Sequence, residues 1–333
     1  MSTPQVSILL PCYNSAPFLQ ATLDSLTAQT FTDWECIAID DGSSDNTAVV
    51  LHAHAQQDPR FKIISRPNKG LIATLNEGIA LAQAPWIARM DGDDLAEPQR
   101  LAAQLQALDS SGADVCGTWV RFFGERSGVW QTPLDDAAIK LQLLFNVPLA
   151  HPSVMVRTRL LRAQPYDSRA VHAEDYALWC ALAQRGARFI NVPQALLRYR
   201  CHAGQITQTR RDELRHTAQQ IRASYAANIV PPNIDLQEFV RFAEPGTLLT
   251  PDEFTRYGWM LLGLAAMYPD GQGVLGEAWI EAWQRTQPSR STLAVVRRLR
   301  RTLPFAAERR AFFGKQWLKH ALGLRRRVHE GER

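Results

Sequence analysis

The sequence has no apolar run near the ~18 residues that a membrane-spanning helix needs. Its longest candidates, Val6–Pro11 and Trp259–Met267, are the size of a strand or a short helix. Met1–Val6 has no basic stretch leading into an apolar one, so no secretory leader is expected. Cysteine is sparse: five residues, at 12, 36, 116, 180 and 201, odd in number and without a CxxC pair. That pattern predicts reduced thiols in a cytoplasmic protein, several of them filling the core as small hydrophobes. The chain also lacks internal repeats, low-complexity tracts and a convincing nucleophilic triad.

What remains is ordinary globular composition over 333 residues, 46% hydrophobic and 21% charged. The length suits one large α/β domain and a smaller C-terminal unit. The net charge of +4 hides an asymmetry. Arg285–Arg333 holds 14 Lys/Arg against 3 Asp/Glu, a net +11, which leaves −7 on the rest. A mildly acidic body does not describe a nucleic-acid-binding domain. A basic tail suits contact with something anionic, such as a membrane surface.

Apolar runs and helical spacings alternate through the first hundred residues. Strands are expected at Val6–Leu10, Trp34–Ile39, Phe61–Ile64 and Trp86–Met90. Helices are expected over Ala16–Thr30, Asp45–Gln57, Gly70–Gln83 and Pro98–Leu108. Such alternation implies right-handed crossovers and a mostly parallel sheet, with ligands bound beyond the strands' carboxyl ends. After Arg200 the pattern becomes helical: a long helix over Arg210–Ile229, a Val230–Ile234 linker, and a helix start at Thr250 with Pro251 in its first turn.

Two acidic clusters fall at strand ends, Asp40-Asp41-Gly42-Ser43 and Asp91-Gly92-Asp93-Asp94. On an extended backbone Asp91 and Asp93 point to one side. Paired carboxylates repel unless a cation lies between them, and a hard divalent ion, Mg²⁺ or Mn²⁺, fits oxygen ligands. Such an ion neutralises charge on a departing diphosphate. Alone, the triplet reads first as a solvated acidic turn, with Asp94 a turn cap. The second cluster strengthens the ligand reading, since Asp40 and Asp41 can accept hydrogen bonds from a base N–H or ribose hydroxyls. Ser43 or Asp45 can also cap the following helix.

Together, several segments resemble family 2 glycosyltransferases, inverting enzymes of the GT-A fold. They are Val6–Asn14, Gln29–Phe31, Ile39–Asp45, Asn68–Gly70, Leu75-Asn76, Ile87–Asp94 with Pro98–Leu101, His151–Ser153, Glu174–Trp179 and Tyr199–His202. The similarity spans about Val6 to Gln205. It implies an α/β GT-A (Rossmann-like) domain over 1–205 that binds a nucleotide sugar, and a helical region with a basic amphipathic tail over 206–333.

By that resemblance Pro11, Tyr13 and Asn14 line the nucleotide site, Asp40 and Asp41 contact a uracil-type base and ribose, and Asn68 faces the nucleotide. Asp91 lies near the ribose and the metal's water shell, Asp93 is the direct metal ligand, and His202 joins it from a loop that closes over the diphosphate. Asp175 matches the catalytic base. Glu174 and His151 lie on the acceptor side, and Trp179 is read as core. The implied partners are a nucleotide-diphosphate sugar and a glycan or lipid-linked acceptor from bacterial surface-glycan synthesis. The tail, from Thr302 onward, is expected to rest on the inner face of the membrane. Two absences narrow this. There is no Gln-x-x-Arg-Trp motif of processive synthases. The loop Pro11–Ser15 has no glycine, which disfavours a sugar-phosphate nucleotidyltransferase. The other alternative, a catalytically silent nucleotide-binding scaffold, sits poorly with a full set of carboxylates.

Overall fold

The first apolar run forms β1 (Val6–Cys12), every residue of which is buried. In β2 (Trp34–Asp41) all eight residues are buried, its two terminal aspartates included. Burial on both faces explains why these strands read as continuous apolar sequence rather than alternation. With β3 (Phe61–Arg66) and β4 (Trp86–Arg89) they pair in parallel in the order β3-β2-β1-β4. The crossovers are α1 (Ala16–Thr27), α2 (Thr47–Gln57) and α3 (Leu71–Leu81). Leu19, Leu23 and Leu26 form the buried stripe of α1. Helix α3 lies so close to β1 that a Cβ on Gly78 would come 2.0 Å from a Leu9 methyl.

The structure is a computed structural model, and it describes residues 3–202 and 211–286 together with Ala294 and Val296. The chain divides into two compact units, Met1–Ile221 and Arg222–Arg333. In the first unit the chain walks outward from β1 to β3, then returns to place β4 on β1's other side. Strand order reverses at the β1–β4 pair, so a crevice opens beyond their carboxyl ends.

The expected helices and strands are present, with helix ends shifted by at most three residues. Gln29, from a recognised motif, closes α1. Its side chain donates to Glu97 O at 2.8 Å and accepts from Leu101 N at 3.1 Å. The remaining strands complete a mixed sheet of mostly parallel character. They are β5 (Leu95–Ala96), β6 (Val115–Gly124), β7 (Gly128–Trp130), β8 (Met155–Arg157) and β9 (Phe189–Cys201). The path runs β3-β2-β1-β4-β8-β6-β9-β5, with β7 on β6. Helices α4 (Arg100–Ser111), α5 (Asp136–Gln142), α6 (Thr158–Ala163) and α7 (Glu174–Gln184) flank it, and a 3-10 turn (His151–Ser153) precedes β8.

Beyond α8 (Arg211–Ile229), which begins in the first unit, the second unit is helical: α9 (Leu236–Ala243), α10 (Pro251–Met267) and α11 (Gln272–Gln284). Thr250 and Glu253 form the reciprocal capping box that starts α10, with Pro251 in its first turn. Phe239, Phe242, Phe254, Tyr257, Trp279 and Trp283 supply its core. Cys12, Cys36, Cys116, Cys180 and Cys201 are all free and buried. Among the described residues no helix is long and apolar enough to cross a membrane. The expected tail helix from Thr302 lies outside the described residues.

Candidate active site

At the carboxyl ends of β1 and β2 two loops are stitched together. Asn14 has φ +48°, a left-handed conformation that Asn tolerates better than most residues. Its N–H donates to Ser43 Oγ at 2.9 Å, and its Oδ1 accepts from Ser44 N at 2.9 Å. Asp45 accepts from Ala16 N at 3.1 Å and from Thr47 N at 2.9 Å, bonding the starts of α1 and α2. Pro11 is buried at the end of β1, and Tyr13 beside it is 57% exposed.

The paired aspartates of β2 are used differently. Asp41 is saturated: it ion-pairs with Arg66 and accepts from Lys69 N at 2.7 Å and Gly70 N at 2.9 Å. Asn68 donates to the Asp41 carbonyl at 2.8 Å. Gly42, at φ +71°, lets that loop approach, since a Cβ there would sit 2.5 Å from Asn68 N. Asp40 is buried and accepts from Ser43 N at 3.0 Å. Asp41 therefore builds the loop, while Asp40 is held by a single backbone donor.

At the end of β4, carboxylate oxygens of Asp91, Asp93 and Asp94 all lie within 4.8 Å of one another. Asp91 ion-pairs with Arg89. Burial nonetheless pushes its carboxyl above the usual range, against the pull of Arg89. Asp93 Oδ2 is 3.1 Å from His202 Nε2, and the Asp93 carbonyl accepts from Arg200 Nε at 2.8 Å. Asp94 is 1% exposed. Its Oδ1 accepts from Arg200 N at 2.8 Å, whereas its buried Oδ2 has no hydrogen-bond partner. Burial, and then Asp91 and Asp93, push the Asp94 carboxyl well up. An orphan carboxylate oxygen beside two further carboxylates calls for a proton or a cation. The oxygen-rich set with one imidazole suits Mg²⁺ or Mn²⁺. Asp94 thus belongs to the cluster. The end of β9 reaches it across more than a hundred residues of sequence. Arg200 also stacks between Phe18 and Phe123, 4.4 Å from each ring centre, and His202 lies 5.2 Å from Phe18.

The residues expected on the acceptor side sit in a drier setting. Glu174 and Asp175 open α7, where acidic side chains also complement the helix dipole. Burial, and then the neighbouring Glu174, push the Asp175 carboxyl up to about 7. Glu174, 8% exposed, is raised by burial too. His151 is buried in its 3-10 turn, its Nε2 2.7 Å from Tyr166 Oη and its Nδ1 4.0 Å from Glu174 Oε1. Burial, and then the Arg89 charge, hold this imidazole well below its usual range, so it stays neutral. Tyr166 is fixed by Asn76, which bonds its N–H at 2.9 Å and its C=O at 3.0 Å. Trp179 is fully buried.

Arg89 joins the two halves. It is 4% exposed, its side chain pairs with Asp91, and its N–H donates to Val154 O at 2.9 Å, directly after the His151 turn. Its charge bears on Glu174, Asp175, His151 and Tyr166. Arg89 lies within the Ile87–Asp94 motif without a role assigned to it, and Tyr166 lies outside the motifs. A charged residue inside an otherwise apolar strand was the available signal for Arg89.

Residues 7–164 match the family described as Glycosyl transferase family 2. An uncharacterized glycosyltransferase of Haemophilus influenzae is 29% identical over 236 residues, 66% of this chain and 72% of its own. EpsE of Bacillus subtilis, designated a glycosyltransferase, is 31% identical over 205 residues, 60% of this chain and 74% of its own. Among solved structures, S. aureus TarS 1-349 in complex with UDP-GlcNAc has a TM-score of 0.60 at 16% identity, covering 90% of this chain and 91% of that one. The mannosyltransferase PcManGT of Pyrobaculum calidifontis, in complex with GDP-Man and Mn²⁺, has a TM-score of 0.53 at 16% identity, covering 96% and 88%. At such identities the structural likeness speaks for the fold, the GT-A arrangement.

Proposed function

Because this chain belongs to glycosyltransferase family 2, we propose that it moves a sugar from a nucleoside-diphosphate donor, UDP-linked, to an acceptor hydroxyl with inversion. The observation that carries this reading is the placement of two carboxylate groups. Asp91, Asp93 and Asp94 gather at the strand-order reversal. Asp175, its proton affinity raised to near neutrality, shares the charge of Arg89 with them. TarS with UDP-GlcNAc, and PcManGT with GDP-Man and Mn²⁺, support the donor class and the ion.

In this reading Pro11, Tyr13, Asn14 and Asp40 hold the base and ribose. Asp41 and Asn68 serve the nucleotide through the loop they brace. Asp93, Asp94 and His202 hold Mg²⁺ or Mn²⁺, with Asp91 between ion and ribose. When bound, the ion supplies positive charge against the negative charge that builds on the departing diphosphate. Asp175 takes the acceptor hydroxyl's proton as that oxygen bonds to the anomeric carbon and the bond to the diphosphate breaks. A base that titrates near 7 is well matched to this task. Glu174 and neutral His151, braced by Tyr166, shape the acceptor pocket.

Residues 1–205 are the catalytic part in this account. The basic region within 206–333 brings it to a lipid-linked acceptor at the inner membrane face, in bacterial polysaccharide or lipopolysaccharide synthesis. The test is a panel of nucleotide sugars assayed for turnover with and without Mn²⁺. Metal-dependent release of nucleoside diphosphate from one donor is the expected result. Metal-dependent UDP binding without turnover of any donor and acceptor pair would mark a silent binding protein. Release of pyrophosphate from a nucleoside triphosphate would mark a nucleotidyltransferase. Liposome flotation tests the membrane contact: equal flotation of the full chain and a version truncated after Pro304 would refute it.

A further inference from the structure

Arg89 is a permanent cation in a nearly dry position, with several carboxyl groups around it. Asp91 pairs with it directly. Asp94, Glu174 and Asp175 all lie within its field, so four carboxyl groups share one guanidinium. Its Nε is buried without a hydrogen-bond partner. A buried guanidinium left partly unbonded is costly, and a residue chosen for stability alone would use its donors more fully. The backbone adds a second link. Arg89 N–H bonds Val154 O, so the strand that ends in the aspartate cluster is fastened to the segment that carries His151. Next to it Arg100, also buried, donates to the Arg89 carbonyl at 2.7 Å and fixes the strand from behind.

We propose that Arg89 is a positioning residue shared by both halves of the reaction, its guanidinium clamping Asp91 on the donor side while its single charge serves the Glu174–Asp175 pair on the acceptor side. This rests on the proposed role of Asp175 as base. One cation then sets two properties that are usually tuned apart: donor affinity, through Asp91, and the protonation of the base. Glu174, Arg89 and Tyr166 interact electrostatically with Asp175. Burial and Glu174 oppose its ionisation; the Tyr176 N–H, which donates to Asp175 Oδ1 at 2.7 Å, and then Arg89 favour it. Without Arg89 the base would hold its proton to higher pH.

The experiment compares pH profiles of kcat/KM for the wild type, Arg89→Met and Arg89→Lys. In the wild type the acid limb should fall near neutral pH. In Arg89→Met it should move to higher pH, because a positive charge that favours ionisation of Asp175 is lost, while donor KM rises. Arg89→Lys keeps the charge and removes the guanidinium that pairs with Asp91. Its limb should stay near the wild-type position while donor KM still rises, a separation that general damage to the fold would not produce. If Arg89→Met turns over too slowly, the shift is read from melting temperatures instead. The pH at which Arg89→Met and Arg89→Met/Asp175→Asn diverge should lie above that for the wild type and Asp175→Asn. If Arg89→Met does not fold, Arg89→Lys decides. Full activity of Asp175→Asn would overturn the assignment of the base. A wild-type limb that Arg89→Met leaves in place, or that Arg89→Lys displaces, overturns the role of Arg89 alone.

Discussion

The two sides of the crevice, proposed above to serve donor and acceptor, are built by opposite means. On the donor side Asn14, Asp41, Asp45 and Asn68 spend their polar atoms on one another's loops, at distances of 2.7–3.1 Å. Order there comes from satisfied hydrogen bonds. On the other side His151, Tyr166 and Glu174 are buried and Asp175 is half-buried, all with few partners, and desolvation heads the causes that shift each of them. The first arrangement suits a large polar ligand held in one pose. The second suits a proton acceptor, as proposed for Asp175. The aspartate cluster at the end of β4 lies between them and shares both traits, with Asp94 bonded at one oxygen and orphaned at the other.

If this contrast is right, the largest effect falls on the cluster. Asp93→Ala should abolish turnover and remove the metal dependence of UDP binding, and Asp91→Ala should do the same more mildly. Calorimetry with and without Mn²⁺ checks both, and near-normal activity of Asp93→Ala in chelator would end the metal account. Asp94→Asn should lower metal affinity by roughly 10–100-fold, the usual scale for disturbing a site's supporting ligands. A turn cap alone would leave that affinity unchanged.

A smaller effect separates the halves by stability. Asp175 binds its proton more tightly when folded, with a value of about 7 against an ordinary 3.8. Between those values the native state carries a proton that the unfolded chain has lost. Stability therefore falls as pH rises through this window, and the contribution is gone above about pH 7. Asp175→Asn should melt higher than the wild type at pH 8, by about 2–4 °C for each ~1 kcal/mol recovered. The gap should close by pH 4. A donor-side change behaves differently. Asn14→Ala places an alanine at φ +48° and deletes the bond from Ser44. It should cost roughly 1–2 kcal/mol, with no pH dependence between 5 and 8 in the melting curve.

The same contrast governs what could be read from sequence. β1, β2 and β4 were legible because each is an apolar run ending in a cluster of polar residues, and the donor-side motifs sit on those ends. The strands after residue 112 were not. β6 and β9 are only partly buried and slip register at Thr118 and Trp119, so neither periodicity nor a continuous apolar run marks them. Asp94 was read as a turn cap because the partner that buries one of its oxygens, Arg200, is 106 residues away. The pairs at the end of β2 and at the start of α7 are visible as pairs. That Asp41 braces a loop while Asp40 does not depends on Arg66, Lys69 and Gly70 folding back over it.

The central claim is that the α7 side of the crevice does chemistry on a donor held by the other side. The most direct measurement is made on one variant, Asp175→Asn: UDP affinity in Mn²⁺ by calorimetry, beside turnover of the donor that the wild type accepts. The account predicts an affinity within a few-fold of the wild type and a turnover lower by about 10²–10⁴, the usual contribution of a general base. Turnover that survives the substitution, or UDP binding that is lost with it, would contradict the division of labour proposed for this crevice.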